Sequence, residues 1–178
     1  NSAARVNAIL LKPGAERTVA TIIHEATHQL AYNSGLEARF ADNPFWVSEG
    51  IAIYFETPDL QSSKGWKNIG GVNRLNLFNF RKLLRDRPAD SLTTLLSDDK
   101  RFRDSATASD AYAEAWALNY FLLRKYEEKY VEYVKELSKQ PQLVDEGAEF
   151  RLTMFKKYFG NDLGPLDTEF LRYMRSVQ

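Results

Sequence analysis

Apolar side chains recur at helical spacing along residues 18–30, where Val19, Ile22, Ile23, Ala26 and Leu30 fall on one stripe. This periodicity predicts a helix from about Ala15 to about Tyr32 with that stripe turned toward a core. Asn33-Ser34-Gly35 reads as its stop. Ahead of it, Arg5 to Leu11 (RVNAILL) is the best strand candidate, ended by Lys12-Pro13-Gly14. A lone strand is not stable by itself. It either lies along a helical core or has partner strands preceding Asn1.

A polar connection leads to Asn43 and Pro44, an N-cap followed by proline at the first helical position. The segment PFWVSEGIAIYFE that follows is apolar on nearly every side and predicts a well-buried helix ended by Thr57-Pro58. Asp59 to Asn73 is a long loop containing Gly65, Gly70 and Gly71, with Trp66 as its bulky apolar anchor. It reads equally as a lid, a wall of a cleft or a plain connection. Asn73 to Arg85 predicts a helix with Leu75, Phe78, Leu83 and Leu84 inward, broken by Arg87-Pro88. Ser91 is expected to cap a short helix over Leu92 to Leu96. A long helix starts at Ser109 or Asp110 (DAYAEAWALNYFLLRKYEEKY). Tyr126 to Leu137 follows with Tyr130, Val131, Val134 and Leu137 inward, and Pro141 interrupts. Glu149 to Phe159, stopped by Gly160, and Pro165 to Met174 complete the pattern. The fold class is therefore mainly α, α+β at most, with a short N-terminal strand element.

At 178 residues the chain is most simply one domain, 1–178, long enough to bury a core. Its 24 basic and 24 acidic residues balance, which gives no electrostatic surface for nucleic acid or an anionic membrane. No run of apolar residues is long enough to span a bilayer. The absence of cysteine excludes disulfides and thiolate metal sites without fixing a compartment. A chain that begins at Asn1 without a signal peptide is expected to be a piece of a longer product.

The chemistry concentrates in the first predicted helix. Its His24 and His28 are the only histidines of the chain and form an HExxH pattern with Glu25. Residues four apart lie one above the other on a helix, so two imidazoles converge on one point, as tetrahedral zinc requires of two ligands. Glu25 follows the first histidine and is placed to act as general base toward an activated water. The competing reading is a buried helix whose histidines are satisfied by hydrogen bonds.

Glu49 sits in the first half of the second, apolar helix. A buried carboxylate needs a partner, either one of the arginines or the ligand that a two-histidine site lacks. The metal reading requires less explanation. Glu56, two turns on, is too far along to share that metal; an ordinary ion pair is expected in preference to a supporting role. Arg74 and Arg81 read as surface residues, with recognition of a substrate carboxylate as the alternative. A hydrolytic zinc site also needs a donor for the developing oxyanion. With no third histidine, tyrosine, arginine or a backbone amide must serve.

HEATH, followed after twenty residues by the glutamate of WVSEGIAIYFE, resembles the gluzincin metallopeptidases. Trp46-Val47-Ser48-Glu49-Gly50-Ile51-Ala52 is similar to the W-L-N-E-G-F-A segment of aminopeptidases in that group. The resemblance implies His24, His28 and Glu49 as zinc ligands with an open fourth position. Tyr112 and the residues to Leu118 look like the Y-x-K-G-A-x-x-L stretch of the same enzymes, with Glu114 and Ala115 replacing its lysine and glycine. By that resemblance Tyr112 stabilises the tetrahedral intermediate; by the plainer reading it packs as one of nine tyrosines. The whole chain is similar to a bacterial branch of this clan known only as a domain of unknown function with peptidase-like motifs, whose members are often exported.

The function expected is zinc-dependent hydrolysis of peptide bonds, with Zn2+ as cofactor, a peptide or protein as substrate and an extracytoplasmic location. No nucleic-acid partner or membrane span is expected, and the oligomeric state is left open. The alternative is a non-catalytic, zinc-containing binding module of a larger exported protein. Hydrolysis of a non-peptide amide is a weaker third reading.

Overall fold

A computed structural model describes residues 15–57 and 69–178, with side chains from residue 18. Among them are nine helices: α1 (Ala15–Ser34), α2 (Phe45–Phe55), α3 (Arg74–Leu83), α4 (Ser91–Ser97), α5 (Lys100–Arg103), α6 (Ala108–Lys125), α7 (Glu127–Leu137), α8 (Gly147–Phe159) and α9 (Leu163–Ser176). The described residues hold no β-strand, only one isolated bridge between Ala41 and Gln142. The protein is mainly α. The Arg5–Leu11 strand candidate and most of the 59–73 loop lie outside the described residues. No described helix is long and apolar enough to cross a membrane.

α6 is the axis of the core. Ala111, Ala113, Ala115 and Ala117 let neighbouring helices approach it, while Trp116, Leu118, Phe121 and Leu122 fill the space between them. α2 and α3 pack most extensively against it, and α5, α7 and α9 also contact it. The α2–α6 crossing is close because residue 50 is glycine. A Cβ there would stand 1.9 Å from Asn119 Nδ2 and 2.7 Å from the Ala115 carbonyl oxygen. Asn119 fastens this crossing: its amide donates to the carbonyls of Trp46 and Ala115, both at 2.8 Å, and its oxygen accepts from the Tyr130 hydroxyl. The buried amide is thus satisfied on three sides, and α2 is held in a fixed register.

The start of α2 departs from the expected cap. Pro44 occupies the N-cap position, the helix begins at Phe45, and the Asn43 side chain donates back to the Ala38 carbonyl at 2.8 Å. The Phe45 N–H is taken instead by Asp99 Oδ1 at 3.1 Å. Asp99 and Asp42 also hold the buried Arg151 of α8, so one carboxylate serves both the helix end and the ion cluster.

Inward faces differ from those the periodicity predicts on α1 and α3, and on α7 Val131 is exposed while Tyr130, Val134 and Leu137 are buried. On α1, Ile22 and Leu30 are 60% and 67% exposed, and the side turned to α2 carries His24, His28 and the buried Ala31. On α3, Leu75 and Phe78 are 69% and 68% exposed, while Leu77 and Phe80 are buried. Phe80 meets Phe170 of α9 with ring centroids 5.3 Å apart. Both segments carry apolar residues on more than one side, so their rotation was set by the helices they met.

Glu114, at the position where the resemblance has lysine, is fully buried. It accepts from Arg87 Nε and Arg101, both at 2.7 Å, and from Ser91. Arg87 continues to Asp167. The charge is structural, tying α4 and α9 to the central helix.

Candidate metal centre

α1 and α2 pack side by side and bring His24, His28 and Glu49 together. One ligand-type atom from each of these residues lies within 4.8 Å of the others. His24 Nε2 is 3.2 Å from Glu49 Oε2, and His28 Nε2 is 3.7 Å from Glu49 Oε1. The two rings meet edge to face with centroids 4.9 Å apart. The four-residue spacing on α1 makes this convergence local; Glu49 arrives through the α2–α6 clamp.

Each histidine is held from behind. His24 Nδ1 donates to Glu56 Oε2 at 2.9 Å, and the other Glu56 oxygen accepts from Asn73 Nδ2 at 3.1 Å. Glu56 therefore supports the site, contrary to the expected ordinary ion pair: two turns along α2, it faces the outer side of the ring whose inner side faces Glu49. His28 Nδ1 lies 3.3 Å from Ser48 Oγ, whose own proton goes to Glu37 Oε2 at 3.1 Å. Ser48 is then the acceptor for the His28 Nδ1–H. Both outer nitrogens are engaged and both Nε2 atoms face Glu49, so ligation of a metal would displace only the inner proton of His24.

The charges agree with this arrangement. The hydrogen bonds from Glu49 and Glu56, with their negative charge, push His24 up to about 9 against the opposing effect of burial. Glu37 is 4% exposed and its carboxyl is raised by burial, offset in part by the Ser48 hydrogen bond. Tyr32 is raised by burial and by the Glu37 carboxylate, with which it shares a hydrogen bond.

The donor set suits a divalent ion that accepts imidazole and carboxylate. Three side chains converge, each histidine presents its Nε2 toward Glu49, and the outer atoms are occupied. Zinc fits these residues.

Glu25 is exposed on α1, about 100° around the helix from His24, and makes no hydrogen bond or ion pair among the described residues. Tyr112 is half-buried near the start of α6, with its ring edge-on to Phe102 at 5.2 Å. Its hydroxyl is raised by burial and then by the charge of Glu49. The cleft of about 250 Å³ beside His28 and Glu49 is lined by Tyr32, Asn43, Phe45 and Ser48 rather than by Tyr112.

Three contributors escape a reading of the sequence. Ser48 precedes Glu49, and Tyr32 falls one turn after His28; both positions were open to inspection. Glu37 sits in a polar connection and carries no local signal at all.

A family model described as "Protein of unknown function (DUF1570)" matches residues 18–144. The chain belongs to this family. The DUF1570 match runs from within α1 through α7 and takes in His24, Glu25, His28, Glu37, Glu49, Glu56 and Tyr112. Neither a curated protein nor a solved structure matches the chain.

Proposed function

We propose that the chain is a zinc-dependent peptidase, its metal held by His24, His28 and Glu49. The reading rests on one observation: both Nε2 atoms face the Glu49 carboxylate while Glu56 and Ser48 engage the Nδ1 atoms. Bound zinc supplies Lewis-acid polarisation of a carbonyl and a lowered pKa for water. Glu25, free of ion pairs among the described residues, takes the proton of the attacking water and delivers it to the leaving amine. Tyr112 donates toward the carbonyl oxygen on which negative charge develops. Closure of α2 on α6 through Asn119 keeps Glu49 and Glu56 in register with the histidines.

A second reading is a binding module that retains the ion and lacks turnover. The Tyr112 ring packs edge-on against Phe102 and Tyr112 does not line the cleft, which favours it.

The test begins with metal content on protein purified without chelator, beside His24→Ala. About one zinc per chain, lost in the variant, is expected. A peptide-library screen then separates the two readings. Cleavage that phenanthroline blocks and Glu25→Gln abolishes supports the peptidase; zinc without any cleavage supports the module; absence of zinc ends both.

A further inference from the structure

We propose that Asn73 is a positioning residue of the metal centre: with a single amide it caps α3 and locks the Glu56 carboxylate that orients His24. This rests on the metal reading above and extends the site to a third helix.

The Asn73 side-chain oxygen accepts from the Asn76 N–H at 3.0 Å and closes the first turn of α3. That bond fixes which way the amide points, so its Nδ2 is the atom that donates to Glu56 Oε1 at 3.1 Å. The other Glu56 oxygen takes the His24 Nδ1–H at 2.9 Å. A carboxylate held at one oxygen turns about its last torsion, which is broad; held at both, it keeps one plane. The His24 ring is fixed with it, and so is the direction of Nε2 toward Glu49.

The cap alone does not call for asparagine. Aspartate and serine cap helices as well. Aspartate has no donor to give, and the serine hydroxyl ends a bond short of the amide nitrogen. Asparagine carries an acceptor and a donor on one planar group, which is what two remote partners require.

The backbone that carries this amide is itself anchored. On one side, α3 packs on α6 and buries Leu77 and Phe80. On the other, Gly70, at φ +73°, lies so close to α2 that a Cβ would stand 2.1 Å from the Tyr54 ring. The Gly70 carbonyl accepts from Arg124 of α6 at 2.9 Å. Asn73 is therefore placed by α2 and α6, the same two helices that set Glu49.

Asn73→Ser keeps α3 capped, stays neutral and gives up the reach to Glu56. The metal-free variant should melt near the wild-type temperature. Its His24 Nδ1–H, followed by proton–nitrogen NMR, should exchange with solvent about tenfold faster. Its zinc affinity, from competition with a chromophoric chelator, should fall about tenfold. Rescue supplies the second arm. Adding Asn73→Asp to Glu56→Gln restores the pair with reversed polarity, the new amide donating to the new carboxylate while its oxygen still accepts from His24. The double variant should bind zinc about tenfold more tightly than Glu56→Gln alone. Wild-type exchange and zinc affinity in Asn73→Ser, with no rescue, would reduce Asn73 to a helix cap and leave the metal reading standing. A wild-type protein that takes up no zinc overturns that reading, and the role of Asn73 with it.

Discussion

Glu56 Oε2 sits 2.9 Å from His24 Nδ1, on the side of the ring opposite Glu49. One helix therefore grips one imidazole at both nitrogens, using carboxylates seven residues apart. Glu49 reaches the nitrogen that faces the proposed metal position, and Glu56 fixes the ring and keeps its outer nitrogen protonated. Glu56→Gln retains a hydrogen-bond partner but loses the charge. It should weaken zinc binding by about 10–100-fold, measured by competition with a chromophoric chelator. Unchanged affinity would reduce Glu56 to a packing role.

Glu49→Ala removes the group on which both histidines converge. The variant should fold, since Glu49 takes no part in the Asn119 clamp, and should lose most of its zinc. Plasma mass spectrometry decides it; normal zinc content in this variant would end the three-ligand arrangement.

Metal-free protein should lose stability as pH rises, through two groups. His24 is raised from 6.5 to about 9, so the folded state holds its proton more tightly than the unfolded chain does. Its contribution is fully present below pH 6.5 and gone above about 9. The melting temperature of the metal-free protein, minus that of His24→Gln, should fall across that window. Added zinc should reverse the trend, because imidazole must give up its proton to bind.

Glu37 acts at lower pH. Its carboxyl is raised above 4.5 by burial, so ionisation costs the folded state more than the unfolded one from that pH upward. Glu37→Gln keeps an acceptor for Ser48 and a polar partner for Tyr32 without that cost. The variant should match the wild type near pH 4 and become the more stable of the two toward neutrality. Parallel melting curves from pH 4 to 7 would show it, and a constant difference would mean that Glu37 ionises freely in the folded protein.

Gly50→Ala places a methyl group against the Asn119 amide and the Ala115 carbonyl. Neither yields without breaking the clamp between α2, α6 and α7. A loss of about 3 kcal/mol is expected, at the upper end of what overpacking costs. Urea unfolding of the metal-free variant gives the number directly. A loss below about 0.5 kcal/mol would show that the helices separate easily here.

The sequence by itself determined what depends on neighbours along the chain. The four-residue spacing puts His24 and His28 on one side of a helix wherever that helix packs. Asn73 caps α3, and Gly160, at positive φ, ends α8, because their own backbone and side-chain properties suffice. The mainly helical class follows from periodicities of the same local kind. Tertiary structure decided everything that needed a remote partner. The Phe45 N–H found Asp99 rather than Asn43, across 54 residues, and the charge of Glu114 became a buried ion cluster. Leu77 and Phe80 went inward instead of Leu75 and Phe78 because α3 is apolar on several sides and only α6 and α9 could choose among them. Glu37 joined His28 through Ser48, and Glu56 turned to His24, for the same reason. Hydrogen bonds between groups tens of residues apart leave no periodicity behind, and they form only once packing has brought the backbones to within reach.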